Sequence, residues 1–171
     1  MYLPVVYNTG GYERVETLKM LDGLVDIYLP DFKYLNTDHA KKYSMAEDYP
    51  EIAKAALAEM VRQTGEPVFD ERGMMKRGVI VRHLLLPGCL ADGKRVVKYL
   101  HETYGNRIYM SLMSQYTPQP GAVGPLARHV TRAEYRAAAA YMENCGIRDG
   151  FTQERTSARE EYTPAFDLTG V

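Results

Sequence analysis

VDIYLPDFKY, residues 25–34, decides how the chain is read. Val25, Ile27 and Leu29 alternate as apolar positions and Tyr28 suits a sheet, so the stretch begins as a strand. Pro30 then removes a backbone donor, and Asp31 and Lys33 leave the chain on one face, two residues apart. A strand that ends in a proline and two opposite charges is leaving the core and meeting something polar.

The flanking residues repeat the alternation of strand and helix. Leu3 to Tyr7 is a short apolar run that stops at Asn8-Thr9-Gly10-Gly11, a turn signal. Val15, Leu18 and Leu21 then recur at helical spacing over 13–21. Beyond the quoted stretch, 38–45 is suited to a short helix, and Tyr49-Pro50 opens a longer one that places Ile52, Ala55, Ala56 and Met60 on one face before Gly65. Residues 66–76 read as a hairpin turning at Glu71-Arg72-Gly73. Gly78 to Leu86 is the most apolar stretch and reads as a buried strand closed by Pro87-Gly88. An amphipathic helix follows over 92–104 with Val96, Val97 and Leu100 inward, Gly105-Asn106 breaks it, and 107–114 reads as a further strand. Three prolines and two glycines make 117–130 a loop. Thr131 has the spacing of an N-cap with Glu134 completing a capping box, and an alanine-rich helix runs to Asn144. The polar remainder holds a possible strand near Phe151.

Strands alternating with helices imply an α/β fold with parallel pairing and right-handed crossovers. Ligands of such sheets gather at the carboxyl ends of the strands. Those ends are Asn8-Thr9, Asp31 to Lys33, Leu86-Pro87-Gly88 and Ser114-Gln115, and polar groups collect at three of the four.

Composition narrows the classes. A chain of 171 residues is long enough for one domain with a core, and its net charge of −1 gives no electrostatic reason to expect nucleic acid or an anionic membrane surface. Neither a run of about 18 apolar residues nor a signal-peptide pattern occurs, so a cytoplasmic protein is expected. Cys89 and Cys145 are the two cysteines, too few for a four-cysteine site.

Taken in order, YNTGGYE, DIYLPDFKY, VIVRHLLLPG, SLMSQYTP and EEYTPAFDLTG resemble one family. They are similar to radical S-adenosylmethionine proteins related to pyruvate formate-lyase-activating enzyme. The resemblance implies a partial TIM-type (β/α) barrel, with about four parallel strands, helices on one side and an inserted hairpin near 66–77. It would occupy 3–151 as the C-terminal part of that barrel, with 152–171 an irregular tail. The family's intact members are oxidoreductases that bind a 4Fe–4S cluster and S-adenosylmethionine, cleave the cofactor reductively and activate a glycyl radical enzyme or another protein substrate.

The resemblance also assigns residues. Asp31 and Lys33 match a D-x-K pair whose aspartate helps to bind a cation near the cofactor carboxylate and whose lysine contacts cofactor or substrate backbone. The bland alternative is an ion pair at a strand end. Asn8 and Thr9 match a segment that supplies an aspartate and a threonine to the same cation; Asn8 removes one negative charge, and the stretch could instead be a plain turn. Arg82 lies inside the most apolar strand and needs a partner there, either the cofactor carboxylate or Asp31 across the barrel. Gln115 falls where the family carries a histidine near the cofactor. His83 should face the opposite way from Arg82, toward the helices. Cys89 reads as a small apolar side chain.

One departure is large: the cluster-binding CxxxCxxC motif does not occur. The expectation is a shortened product, or a protein whose cluster-bearing part is a separate polypeptide, with no metal site, no catalytic residue and no bound cofactor in this chain alone. The alternatives are a non-catalytic binding module or partner subunit on a β/α half-barrel, and an unrelated phosphate- or sugar-binding β/α domain. The first strand should be an open sheet edge, which could make a homodimer.

Overall fold

The computed structural model describes residues 3–147 and the backbone of 150–152. The elements are β1 (Val6–Thr9), α1 (Val15–Met20), β2 (Ile27–Pro30), α2 (Thr37–Ser44), α3 (Tyr49–Thr64), β3 (Val68–Phe69), β4 (Met75–Leu84), α4 (Leu90–Tyr104), β5 (Tyr109–Met113), α5 (Arg132–Asn144) and β6 (Gly150–Thr152). Short 3₁₀ turns lie at Gly105–Arg107 and Gly124–Ala127. Glycine and proline set many of the boundaries. Pro50 sits in the first turn of α3, where its missing N–H removes no helical bond, and Gly65 and Gly105 end α3 and α4 with positive φ. Thr131 and Glu134 form the expected capping box at the start of α5.

The protein is an α/β fold. Its sheet runs in the order β1-β2-β4-β5-β6, all pairs parallel, with β3 antiparallel on β4. Every parallel connection steps across the sheet in the same direction, and right-handed crossovers then put the helices on one face. Burial follows that rule. Tyr28, Val79, Val81 and Leu112 are fully buried, whereas Ile80, Arg82, Leu84, Ser111 and Met113 on the other face are half-buried. Tyr28 donates from its hydroxyl to Gln63 of α3 at 2.5 Å, so the buried face is the helix face.

Pro30 leaves its mark on the ladder. In β2 and just beyond it the backbone nitrogens of Tyr28, Pro30 and Phe32 face β4, and that of Pro30 carries no hydrogen. Pairing runs from Ile27↔Gly78 and Tyr28↔Val79, lapses at the proline, and resumes with Asp31↔Arg82 and Phe32 N–H to the Arg82 carbonyl at 2.8 Å. Resumption in the same register fixes Asp31 beside Arg82.

One count is corrected: the sheet has five parallel strands rather than about four, because the strand expected near Phe151 is present as β6 and pairs with β5 through Met110↔Gly150 and Ser111↔Phe151. The expected hairpin is present, with β3 antiparallel on β4 and the turn closed between Asp70 and Met74. Its second arm continues into the core strand, so β4 runs unbroken from Met75 to Leu84. Of the expected tail at 152–171, residues 153–171 lie outside the described residues. The expected edge is present: β1 is terminal in the sheet, Val5 and Val6 are each 52% exposed, and among the described residues no strand pairs with the outer side of β1. No helix among the described residues is long and apolar enough to cross a membrane.

Candidate functional site

The candidate site lies at the carboxyl ends of β1, β2 and β4. Arg82 projects from the half-buried face of β4, and its Nη2 donates to Asp31 Oδ1 at 2.6 Å and to Asn8 Oδ1 at 2.7 Å. One nitrogen thus gathers a side chain of β1 and one from the end of β2. Asp31 and Arg82 are 27% and 23% exposed, so water still screens the pair, and its contribution to stability is about 0–1 kcal/mol. Nε of Arg82 is buried and has no hydrogen-bond partner among the described residues. A buried guanidinium N–H without an acceptor is an unmet hydrogen-bond donor.

Of the three residues that the resemblance gives to a cation, Arg82 engages Asn8 and Asp31 and not Thr9. Asn8 is neutral, so the oxygens presented carry a single carboxylate charge, and a guanidinium answers it. Among the described residues no group of three or more His, Cys, Asp or Glu side chains could hold a metal ion.

Thr9 is buried and turned to its own loop. Its hydroxyl donates to Glu13 at 2.5 Å and accepts from the Gly11 N–H at 3.2 Å. Glu13 also accepts from the Tyr7 hydroxyl at 3.4 Å, so it holds the loop after β1 closed. Lys33 is half-buried; its backbone N–H donates to the Tyr49 hydroxyl at 3.0 Å, and its ammonium makes no ion pair among the described residues. Gln115 follows β5 and is exposed, with no hydrogen bond to the other candidates among the described residues. The structure therefore joins Asn8, Asp31 and Arg82 directly, and leaves Thr9, Lys33 and Gln115 outside that contact.

Sequence reasoning missed two contributors. Glu13 lies in the quoted YNTGGYE stretch, yet no spacing rule pairs it with Thr9. Tyr49 read only as a helix start, while its hydroxyl meets Gly10, Asp31 and Lys33 across the fold.

The helix face of the same strand is built differently. His83 is 2% exposed, points away from Arg82 as expected, and holds the Phe32 carbonyl with Nδ1 at 2.8 Å. Burial pulls its pKa below 6.5. Asp92, at the first turn of α4, is also buried. It accepts the Leu35 and Asn36 N–H groups at 3.3 Å each, meets Arg95 at 3.0 Å and faces His39 at 3.5 Å. Cys89 is buried and its thiol pKa is raised, chiefly by that burial, which disfavours the nucleophilic thiolate. Arg128 is committed to Glu134 through two contacts of 2.8 and 2.9 Å, and Glu134 also accepts the Gly88 N–H at 2.8 Å. These are fastenings for the loops around the site.

No family model matches the sequence. The chain is 29% identical over 118 residues to an uncharacterised protein of Methanocaldococcus jannaschii, an alignment that covers 68% of this chain and 30% of that protein. The matched part of this chain thus spans about a third of the relative's length.

Proposed function

We propose that this chain is part of a radical S-adenosylmethionine protein of the activating-enzyme type, and that it lines the cofactor and substrate cradle on a partial TIM-type barrel. The observation that carries the reading is the convergence of Asn8 and Asp31 on Arg82 at the carboxyl ends of three parallel strands. The amino-acid end of S-adenosylmethionine carries one carboxylate and one ammonium. The partly exposed guanidinium of Arg82 offers donors for the first, and Asp31 and Asn8 offer oxygens for the second. The half-buried Ile80, Leu84 and Met113 lie on the same sheet face and give the rest of the molecule an apolar wall.

The residues of this chain do not fit a 4Fe–4S cluster. A cubane takes three or four thiolates, and the sequence holds Cys89, buried with its thiol protonated, and Cys145 at the end of α5. No step is derived through the cluster. What this chain does in the proposed reaction is bind and orient: Arg82 takes the carboxylate, Asp31 holds Arg82 in place, and the apolar face excludes water. The activation of a glycyl radical enzyme or other protein substrate would belong to the complete protein.

The phosphate-binding alternative draws less support. The glycine loop after β1 spends its Gly11 N–H on Thr9, and α1 has only six residues. Calorimetric titration of the chain with S-adenosylmethionine and with inorganic phosphate tests the reading. Saturable binding of the sulfonium compound, lost in Arg82→Gln, is expected. Binding of phosphate alone, or of neither, would contradict it.

A further inference from the structure

We infer that Tyr49 positions the candidate site by clamping together the segments that follow β1 and β2, next to Asn8 and at Asp31. The inference rests on the reading of that cluster as a ligand cradle.

Tyr49 opens α3 and is 3% exposed. Its hydroxyl lies 3.0 Å from the Gly10 carbonyl and 3.2 Å from the Asp31 carbonyl, and accepts the Lys33 N–H at 3.0 Å. A phenol has one proton and two lone pairs. It therefore accepts from Lys33 and shares its proton between two carbonyls that would otherwise face each other without a donor. One carbonyl belongs to the loop after β1, the other to the residues after β2. The pKa of Tyr49 is raised, chiefly by burial, so the shared proton stays in place across ordinary pH.

The ring is held as firmly as the hydroxyl. Tyr12 stacks on it at 5.8 Å with an interplanar angle of 18°, and Tyr34 meets it edge-on at 5.6 Å. Tyr12 is itself tied to Asp48, the residue before α3, at 2.5 Å. The two loops touch at backbone distance: a Cβ on Gly11 would stand 2.1 Å from the Asp31 carbonyl oxygen, and Gly11 has φ +78. The ladder holds the strands together as far as the bond from the Asp31 N–H to the Thr9 carbonyl at 2.9 Å, and Tyr49 carries that spacing on into the residues beyond. The spacing matters a few ångströms away, because Asn8 and Asp31 must both reach a single nitrogen of Arg82, and hydrogen bonds of that length fail after a shift of about 1 Å.

The test uses the full chain with ¹⁵N-labelled arginine and the Tyr49→Phe variant, which keeps the ring and removes the proton. Tyr28→Phe is the control: it also removes a buried hydroxyl, the one bonded to Gln63, but touches neither loop. Resolved, slowly exchanging Arg82 guanidinium signals are expected in the wild type and in Tyr28→Phe, and their loss in Tyr49→Phe. Affinity for S-adenosylhomocysteine should fall at least about tenfold in Tyr49→Phe alone. Tyr12→Ala, which removes the exposed ring stacked on Tyr49 and leaves the Tyr49 hydroxyl in place, should weaken the same signals and decides the matter if Tyr49→Phe does not fold. Retention of the Arg82 signals in Tyr49→Phe or, where that variant does not fold, in Tyr12→Ala, or equal loss in Tyr28→Phe, would overturn the inference. If the wild type fails to bind S-adenosylhomocysteine, the cradle reading fails, while the Arg82 signals still report whether Tyr49 sets the loops.

Discussion

Arg82 and His83 are neighbours on β4, yet they live in two different materials. Arg82 is half-buried, charged, and shares its charge with a side chain of β1 and one from the end of β2, while its Nε has no partner among the described residues. His83 is buried on the helix side, uncharged, and bonded to a backbone carbonyl through Nδ1, while its Nε2 has no partner among the described residues. The difference separates a sealed face of the sheet from one that water still reaches. On the helix face polar groups are buried and serve to pin loops, although that Nε2 of His83 is left unmet. On the open face they are partly exposed and gathered on one guanidinium. Perturbing the first should unfold the molecule, and perturbing the second should blunt recognition without unfolding it.

The largest expected effect is therefore on the helix face. Asp92→Ala strands two backbone N–H groups and the Arg95 contact, and should cost about 2–3 kcal/mol in urea denaturation. A loss below the scatter of ordinary surface substitutions would break the comparison.

Next comes pH. Unfolded histidine binds its proton near 6.5, whereas buried His83 binds it at lower pH. The unfolded state thus takes up the proton first, and stability is full above about 6.5 and declines as pH falls through the window beneath it. Glu59, held at about 2 first by its Arg62 hydrogen bond and then by Gln63, contributes a separate loss that starts only below about 4.5. Melting curves between pH 7 and 5 should show the decline, and His83→Gln should flatten it. An unchanged slope in that variant would place the acid sensitivity elsewhere.

Arg82→Gln should cost no more than about 1 kcal/mol, since its ion pair is partly exposed, while abolishing the proposed ligand binding. A large destabilisation would mean that the cluster is a structural fastening, as the bland reading of Asp31 holds. The smallest effect belongs to Gln115→Ala. The exposed amide has no partner among the described residues, so stability should stay within about 0.5 kcal/mol of the wild type. A clear loss of ligand affinity there would extend the cradle to β5.

Much of the fold was legible in the sequence because its punctuation is explicit. The turn at Gly10-Gly11, Pro50 after Tyr49, Gly65, Pro87-Gly88 and the Thr131–Glu134 box all fall at element ends. Strand alternation placed Arg82 and His83 on opposite faces before any contact was known. The unbroken β4 was not legible, because a hairpin arm and a core strand of the same residue types differ only in what pairs beside them. For the site, the nearness of Asp31 and Arg82 could be posed but not chosen. Register settles it, and register is a property of pairs of strands. Tyr49 escaped altogether, since its partners lie 16 to 39 residues away and no local pattern connects them.

The central claim is that the open end of the sheet around Arg82 is a cradle for S-adenosylmethionine. Mapping backbone amide shifts of ¹⁵N-labelled chain during titration with that compound tests it most directly. The account predicts saturable shifts confined to the residues after β1 and β2 and to β4 around Arg82, absent in Arg82→Gln. Shifts centred elsewhere, or a spectrum that does not respond at all, would contradict it.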